Sequence, residues 1–205
     1  MSIVDRLAVA RQDKPAELIL RNAQLINVIT GEIYPTDIVV QDRYVVALGE
    51  GYSAEKEVDL NGKYVAPGFI DAHVHIESSL VTPPEFSRAV LPHGITTVIT
   101  DPHEIANVLG LEGMRFMLER GKNGLLNMFV MASSCVPATH METSGARLES
   151  EDLEQLVNHK WVLGLAEVMN YPGVALGDEG MLDKIELYND LVLDGHAPGM
   201  TGAML

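Results

Sequence analysis

The 205-residue sequence predicts an α/β protein, a partial (β/α)8 TIM-type barrel of about five strands preceded by a small β-sandwich segment. Three observations predict it. Short β-prone runs fill residues 16–66, broken by Thr30-Gly31, Tyr34-Pro35, Asp42-Arg43 and Gly49 to Gly51, with Asn61-Gly62 as a tight turn. Short strands at that spacing argue a small sandwich rather than a parallel sheet. From Pro67 onward, five strand-like runs alternate with helices, which suits either a barrel or an open doubly wound sheet. The polar residues decide between these: His73, His75, Asp101, His103, Glu167 and His196 all fall at the carboxyl ends of predicted strands, where a barrel carries its chemistry.

Taken in order, Ser2 caps a short amphipathic helix over residues 2–11, Asp5 completes a box-like start, and Ile3, Leu7 and Ala10 share its apolar face. Pro15 ends that N-terminal helical piece, residues 1–15. Residues 18–20, 24–29, 37–40, 44–48, 57–60 and 63–65 are the short strands of the second segment, residues 16–66. The third segment, residues 67–205, opens on the strand that carries His73 and His75. Thr82-Pro83-Pro84-Glu85 then starts a helix that stops before His93-Gly94. Residues 95–100 form a β-branched strand, and residues 105–120 a helix interrupted between Gly110 and Gly113. Residues 127–132 give a third strand, Ser150 caps a helix with Leu153, Leu156 and Val157 inward, and residues 162–168 give a fourth strand. A helix over 178–190 leads to a fifth strand at 191–194. A complete barrel takes about 250 residues, so the sequence reads as the N-terminal part of a longer enzyme.

Composition narrows the partners. A formal net charge of −15 and the lack of a basic stripe argue against nucleic acid. No apolar run reaches the ~20 residues of a bilayer span, and the first residues lack a signal-peptide core, so no membrane partner and a cytoplasmic location are expected. One cysteine, Cys135, excludes a disulfide framework and a Cys-rich zinc site. It equally excludes the P-C-x-x-C half of the zinc base-deaminase signature, so the H-x-E letters of His75-Ile76-Glu77 are coincidental. No glycine-rich dinucleotide fingerprint or P-loop is present.

The chemistry concentrates in one run, Pro67 to Ser79. Side chains alternate along a strand, so His73 and His75 project to one face and can grip a single metal ion between two imidazoles. Such nitrogen donors suit zinc, iron or manganese. Asp71 shares that face and can orient a ligand from outside the coordination sphere.

The G-F-I-D-A-H-V-H run after a Pro-Gly turn resembles the first barrel strand of the amidohydrolase superfamily. Together with H-V-H-I-E-S-S, T-D-P-H-E-I-A-N-V-L-G, S-S-C-V-P-A-T, A-E-V-M-N and D-G-H-A-P-G, in that order, it is similar to the bacterial adenine deaminase family. The resemblance implies two divalent metal ions, manganese or iron favoured and zinc possible. It implies His73 and His75 on the first metal, Glu167 bridging both and His196 on the second. It further implies hydrolytic deamination of adenine to hypoxanthine and ammonia, a small purine substrate, and a homo-oligomer when full length. Glu77, Asp101, His103 and Glu104 are the remaining acid/base or purine-contact candidates. The competing expectations are an amidohydrolase acting on another cyclic amide or amidine, and a catalytically inert fragment.

Overall fold

The computed structural model describes residues 2–122 and 124–202, which divide into two compact units, Met1–Pro67 and Gly68–Leu205. The first unit begins with helix α1 (Ile3–Ala10), capped by the Ser2 hydroxyl and Asp5 carboxylate in a reciprocal box. Its buried residue is Val9; Ile3 and Leu7, expected inward, are 64% and 50% exposed. The helix is rolled so that Val9 meets Ala16, Ile19 and Val39 of the sheet, leaving Ile3 and Leu7 to flank Tyr44 and Val45 at the surface.

Strands β1 (Ala16–Asn27), β2 (Glu32–Gln41), β3 (Tyr44–Leu48), β4 (Ala54–Asp59) and β5 (Tyr64–Val65) form one sheet in the order β3-β2-β1-β4, with β5 also on β1. This is a single layer, and its pairing is mixed. β2 runs antiparallel to β1, whereas β4 and β5 run parallel to it. The two runs read as separate strands at 18–20 and 24–29 are one strand carrying a bulge between Leu20 and Ala23, with Asn22 at φ 56°. Arg21 lies in that bulge and binds Asp37 and Glu57, each at 2.7 Å, and the Tyr52 carbonyl at 2.8 Å.

The second unit alternates β6 (Phe69–Val74), α2 (Pro83–Val90), β7 (Ile95–Thr100), α3 (His103–Leu109), α4 (Leu111–Gly121), β8 (Asn127–Ala132), α5 (Ser150–Val157), β9 (Val162–Val168), α6 (Tyr171–Leu176), α7 (Glu179–Leu187) and β10 (Val192–Gly195). All four pairings are parallel, and the strand order β10-β9-β8-β7-β6 simply follows the sequence. A doubly wound sheet reverses its order at a switch point; this one does not, so it is barrel-like. The curl is visible in one contact. In a flat sheet β6 and β10 would lie about 19 Å apart, yet His73 on β6 and Asp194 on β10 approach to 3.3 Å.

Helices pack on the outer face through Met114, Met117, Leu118, Leu153, Leu156 and Tyr188. Full burial of each such leucine contributes about 1.5–3 kcal/mol before the entropy of ordering it. The expected interruption of the 105–120 helix falls at Gly110, whose φ of 59° and ψ of −140° no helix continues through. Two caps differ from expectation. Thr82 has the cap conformation but its hydroxyl makes no capping bond, and α5 is capped by Glu149 with Asp152, placing Ser150 inside the first turn. Helix α6 lay unread between the fourth strand and α7, because Tyr-Pro-Gly looks like a turn. It is started by the Asn170 side chain accepting from the Gly173 N–H.

Lys184 of α7 is buried, and its Nζ donates to the carbonyls of Ser134 at 3.1 Å and Leu148 at 2.6 Å, while burial pulls its pKa down. No helix among the described residues is long and apolar enough to cross a membrane.

Candidate metal centre

Because the barrel strands are parallel and in sequence order, their carboxyl ends lie on one rim, and the candidate residues sit there. His73 is on β6 and His75 follows it. Asp101 follows β7 and His103 opens α3. Glu167 is the next-to-last residue of β9, and His196 follows β10.

Glu167 is the hub. Its Oε1 lies 3.0 Å from His73 Nε2 and 3.3 Å from His196 Nδ1, and its Oε2 lies 4.0 Å from His75 Nε2 and 3.9 Å from His103 Nδ1. The side chain is only 12% exposed. The Glu167 backbone is held by Ser134, whose hydroxyl donates to the Glu167 main-chain carbonyl at 2.7 Å. Four histidines from three strand ends therefore surround one carboxylate, as a cation-binding cluster requires.

The tautomers sharpen the point. His75 Nδ1 lies 2.9 Å from the Asp101 carbonyl, which can only accept, so the proton is on Nδ1 and Nε2 carries a lone pair. His73 lies between two carboxylates, with Nδ1 3.3 Å from Asp194 and Nε2 3.0 Å from Glu167. The two Nε2 atoms then meet at 3.1 Å beside a carboxylate oxygen. His75 Nε2 and the Glu167 carboxylate thus face His73 Nε2, an arrangement that either a proton on that nitrogen or a bound cation satisfies. Two nitrogens on one tetrahedral zinc ion stand about 3.3 Å apart, so the spacing fits a shared ion. The His73, His75 and Glu167 atoms form one potential ligand group, and Asp101, His103 and Glu167 another; His75, His103 and Glu104 form a third. In this last group His75 would offer Nδ1, the nitrogen already committed to the Asp101 carbonyl.

Asp101 is almost wholly buried and is bound by the Ser133 hydroxyl and by His103 Nδ1, both at 3.0 Å. Its carboxylate raises His103 to about 9, overcoming the opposing effect of burial, so His103 is an imidazolium at neutral pH. A pKa raised in the folded state stabilises the fold while the group is protonated. In the metal-free chain this contribution is complete below the ordinary value of 6.5 and fades as pH rises through about 9. Urea midpoints measured across that range should fall toward alkaline pH, and His103→Gln should flatten the dependence.

Glu77 and Glu104 adjoin this cluster. Burial pushes the Glu77 carboxyl up, while its Oε1 accepts from the Ile105 N–H at 3.3 Å. Burial would raise Glu104 too, but the Ser78 hydroxyl at 2.6 Å and the neighbouring His103 and His75 outweigh it and leave Glu104 below its usual range. The outer oxygen of each carboxylate is buried without a hydrogen-bond partner.

Asp71 requires a correction. Expected to orient an imidazole, its carboxylate instead accepts from the backbone N–H of His73 at 3.3 Å. Besides Glu167, the carboxylate at the His73 ring is that of Asp194, at Nδ1, which no local pattern singles out because it arrives from the opposite edge of the sheet. Ser133, Ser134 and Ser78 were likewise read only as parts of motifs, and each proves to hold a site carboxylate or its backbone.

The family model "Amidohydrolase family" matches residues 64–203. An "Adenine deaminase" of Clostridium acetobutylicum is 50% identical over 203 residues, covering 98% of this chain and 35% of that protein. "Adenine deaminase 2" of Carboxydothermus hydrogenoformans is also 50% identical, covering 99% of this chain and 35% of that protein. The chain thus spans about a third of the length of the curated relatives it matches. Among solved structures, a dihydroorotase superposes with a TM-score of 0.59 at 16% identity, covering 89% of this chain and 51% of the other. Atrazine chlorohydrolase from Arthrobacter aurescens, complexed with zinc, superposes with a TM-score of 0.51 at 16% identity, covering 71% and 45%. At those identities the two structures speak to the fold alone.

Proposed function

The chain belongs to the amidohydrolase family, and on that premise we propose that it forms the N-terminal part of a metal-dependent adenine deaminase. The observation that supports the reading is the grouping of His73, His75 and Glu167, whose ligand atoms lie close enough together to hold one metal ion. The identity of about 50% to curated adenine deaminases supports the choice of substrate.

His73 and His75 would hold one divalent ion, Glu167 would bridge to a second, and His196 would bind that second ion. Manganese or iron is the preferred ion in this reading, and zinc suits the same donors. Bound ions supply Lewis acidity and lower the pKa of water. Hydrolysis forms a C6–O bond on adenine, breaks the C6–N6 bond and releases ammonia as hypoxanthine forms. A ring nitrogen and the departing amine both need protons.

This chain's residues provide for that traffic. His103, charged at neutral pH and anchored by Asp101, presents a hydrogen-bond donor toward the cluster. Glu77, its carboxyl pushed up by burial, lies beside Glu104, whose carboxyl is held below its usual range. Proton exchange between substrate and this pair is the role proposed for them, with Asp101 as the anchor.

Ammonia release by the full-length protein tests the reading, with adenine set against a panel of cyclic amides. Turnover of adenine above the panel is expected, together with its loss on chelation. Turnover of a cyclic amide but not adenine would overturn the assignment of substrate. Activity that survives complete removal of metal would overturn the assignment of mechanism.

A further inference from the structure

The buried ammonium of Lys184 makes no ion pair among the described residues. It donates instead to two neutral main-chain carbonyls, Ser134 at 3.1 Å and Leu148 at 2.6 Å. The Leu148 N–H in turn donates to the Val136 carbonyl at 3.0 Å, so both acceptors lie at the neck of the irregular stretch that joins β8 to α5. A buried charge without a counter-charge is costly to keep in a packed interior. The bonds on the other side of that neck show what it holds. Ser133 Oγ donates to Asp101 Oδ1 at 3.0 Å, just after β7. Ser134 Oγ donates to the Glu167 main-chain carbonyl at 2.7 Å, and Cys135 Sγ accepts from the Asn170 N–H at 3.3 Å. The turn that ends β9 is therefore gripped at both of its ends by consecutive side chains.

We propose that Lys184 is a positioning residue that acts through Ser134 to fix the main chain of Glu167, and so sets how tightly the centre holds a metal ion. The inference rests on the reading that Glu167 ligates metal. Ser134 is the link: its carbonyl is bound by Lys184 and its hydroxyl binds the residue whose carboxylate faces His73 and His196 at 3.0 and 3.3 Å. Without the ammonium, the Ser134 carbonyl loses this donor and the neck is free to shift. The Glu167 carboxylate then meets its imidazoles from a backbone that is less well placed.

Two readouts on the purified protein test this. Titration with Zn2+ against a chromogenic chelator reports affinity, and thermal unfolding of the metal-free protein reports stability. Lys184→Met should weaken Zn2+ binding about 10-fold, the lower end of what residues outside the coordination sphere do. Ser134→Ala, which removes the hydroxyl but keeps the carbonyl that Lys184 binds, should weaken it about as much. Because the two act along one path, the double variant should also lose about 10-fold, not the ~100-fold of two independent effects. Tyr188→Phe is the control. It deletes a buried hydroxyl next to α7 that donates to the Leu153 carbonyl at 3.0 Å, and it should lower the unfolding midpoint while leaving Zn2+ affinity unchanged. Unchanged Zn2+ affinity in Lys184→Met overturns the inference while sparing the metal reading, however far the midpoint falls. So does a ~100-fold loss in the double variant, the mark of separate effects. An equal loss of affinity in Tyr188→Phe does so too, since general loosening would then suffice. Failure of the unsubstituted protein to bind Zn2+ overturns both.

Discussion

Glu167→Ala should abolish retention of metal, weakening binding by more than about 100-fold, beyond what loss of an outer partner does. The reason is its position: its two oxygens face His73, His75, His103 and His196 at 3.0–4.0 Å, and among the described residues no other side chain is placed against all four. Glu167→Gln separates charge from shape. It keeps the volume but presents an uncharged amide to cations, and it should lose metal nearly as completely. Elemental analysis after dialysis measures both variants. Retention of two ions per chain by Glu167→Ala would remove the bridging role.

Gly164→Ala should be the most damaging single methyl group in the barrel unit. A Cβ built at Gly164 would lie 1.8 Å from the Val192 carbonyl oxygen and 2.6 Å from its carbon. Both are main-chain atoms, so no rotamer change relieves the clash; β9 and β10 must separate where Gly164 pairs with Val192. Overpacking of this kind costs about 1–3 kcal/mol or more. Its effect reaches the site, because β10 carries Asp194 and leads into His196. Thermal unfolding should show the loss, and amide exchange should accelerate along Val192–Gly195. Gly195→Ala is the control: nothing lies within 4 Å of its built Cβ, and its effect on stability should stay within about 0.5 kcal/mol. Equal melting of the two variants would refute the clash.

Those two residues show what a sequence can and cannot disclose. Strands β7, β8 and β9 are legible end to end because a strand buried on both faces must be a continuous apolar or β-branched run, as Ile95–Thr100 and Val162–Val168 are. The His73/His75 pairing is equally local, since alternation alone puts both rings on one face. The bulge at Arg21 and Asn22 was hidden because its polar residues resemble a turn, while the charge pairs that make it tolerable come from Asp37 and Glu57 on other strands. Asp194 was hidden for a related reason. Its contact with His73 joins the two edges of the sheet, and one-dimensional patterns carry no record of which edges curl together. The roll of α1 escaped too, because Ile3, Leu7 and Val9 are all apolar and only the sheet beneath selects Val9.

The ammonium of Lys184 clasps both ends of the irregular stretch between β8 and α5, taking the carbonyls of Ser134 and Leu148 at once. Swinging that stretch outward would strand a charge in apolar surroundings, at an effective cost of several kcal/mol. Its freedom is thereby confined to the tip between the two clasped points. Ser133 and Ser134, which steady Asp101 and Glu167, sit at the fastened root. On this side of the rim the root is held by Lys184, and movement is left to the tip of the stretch or to other parts of the rim.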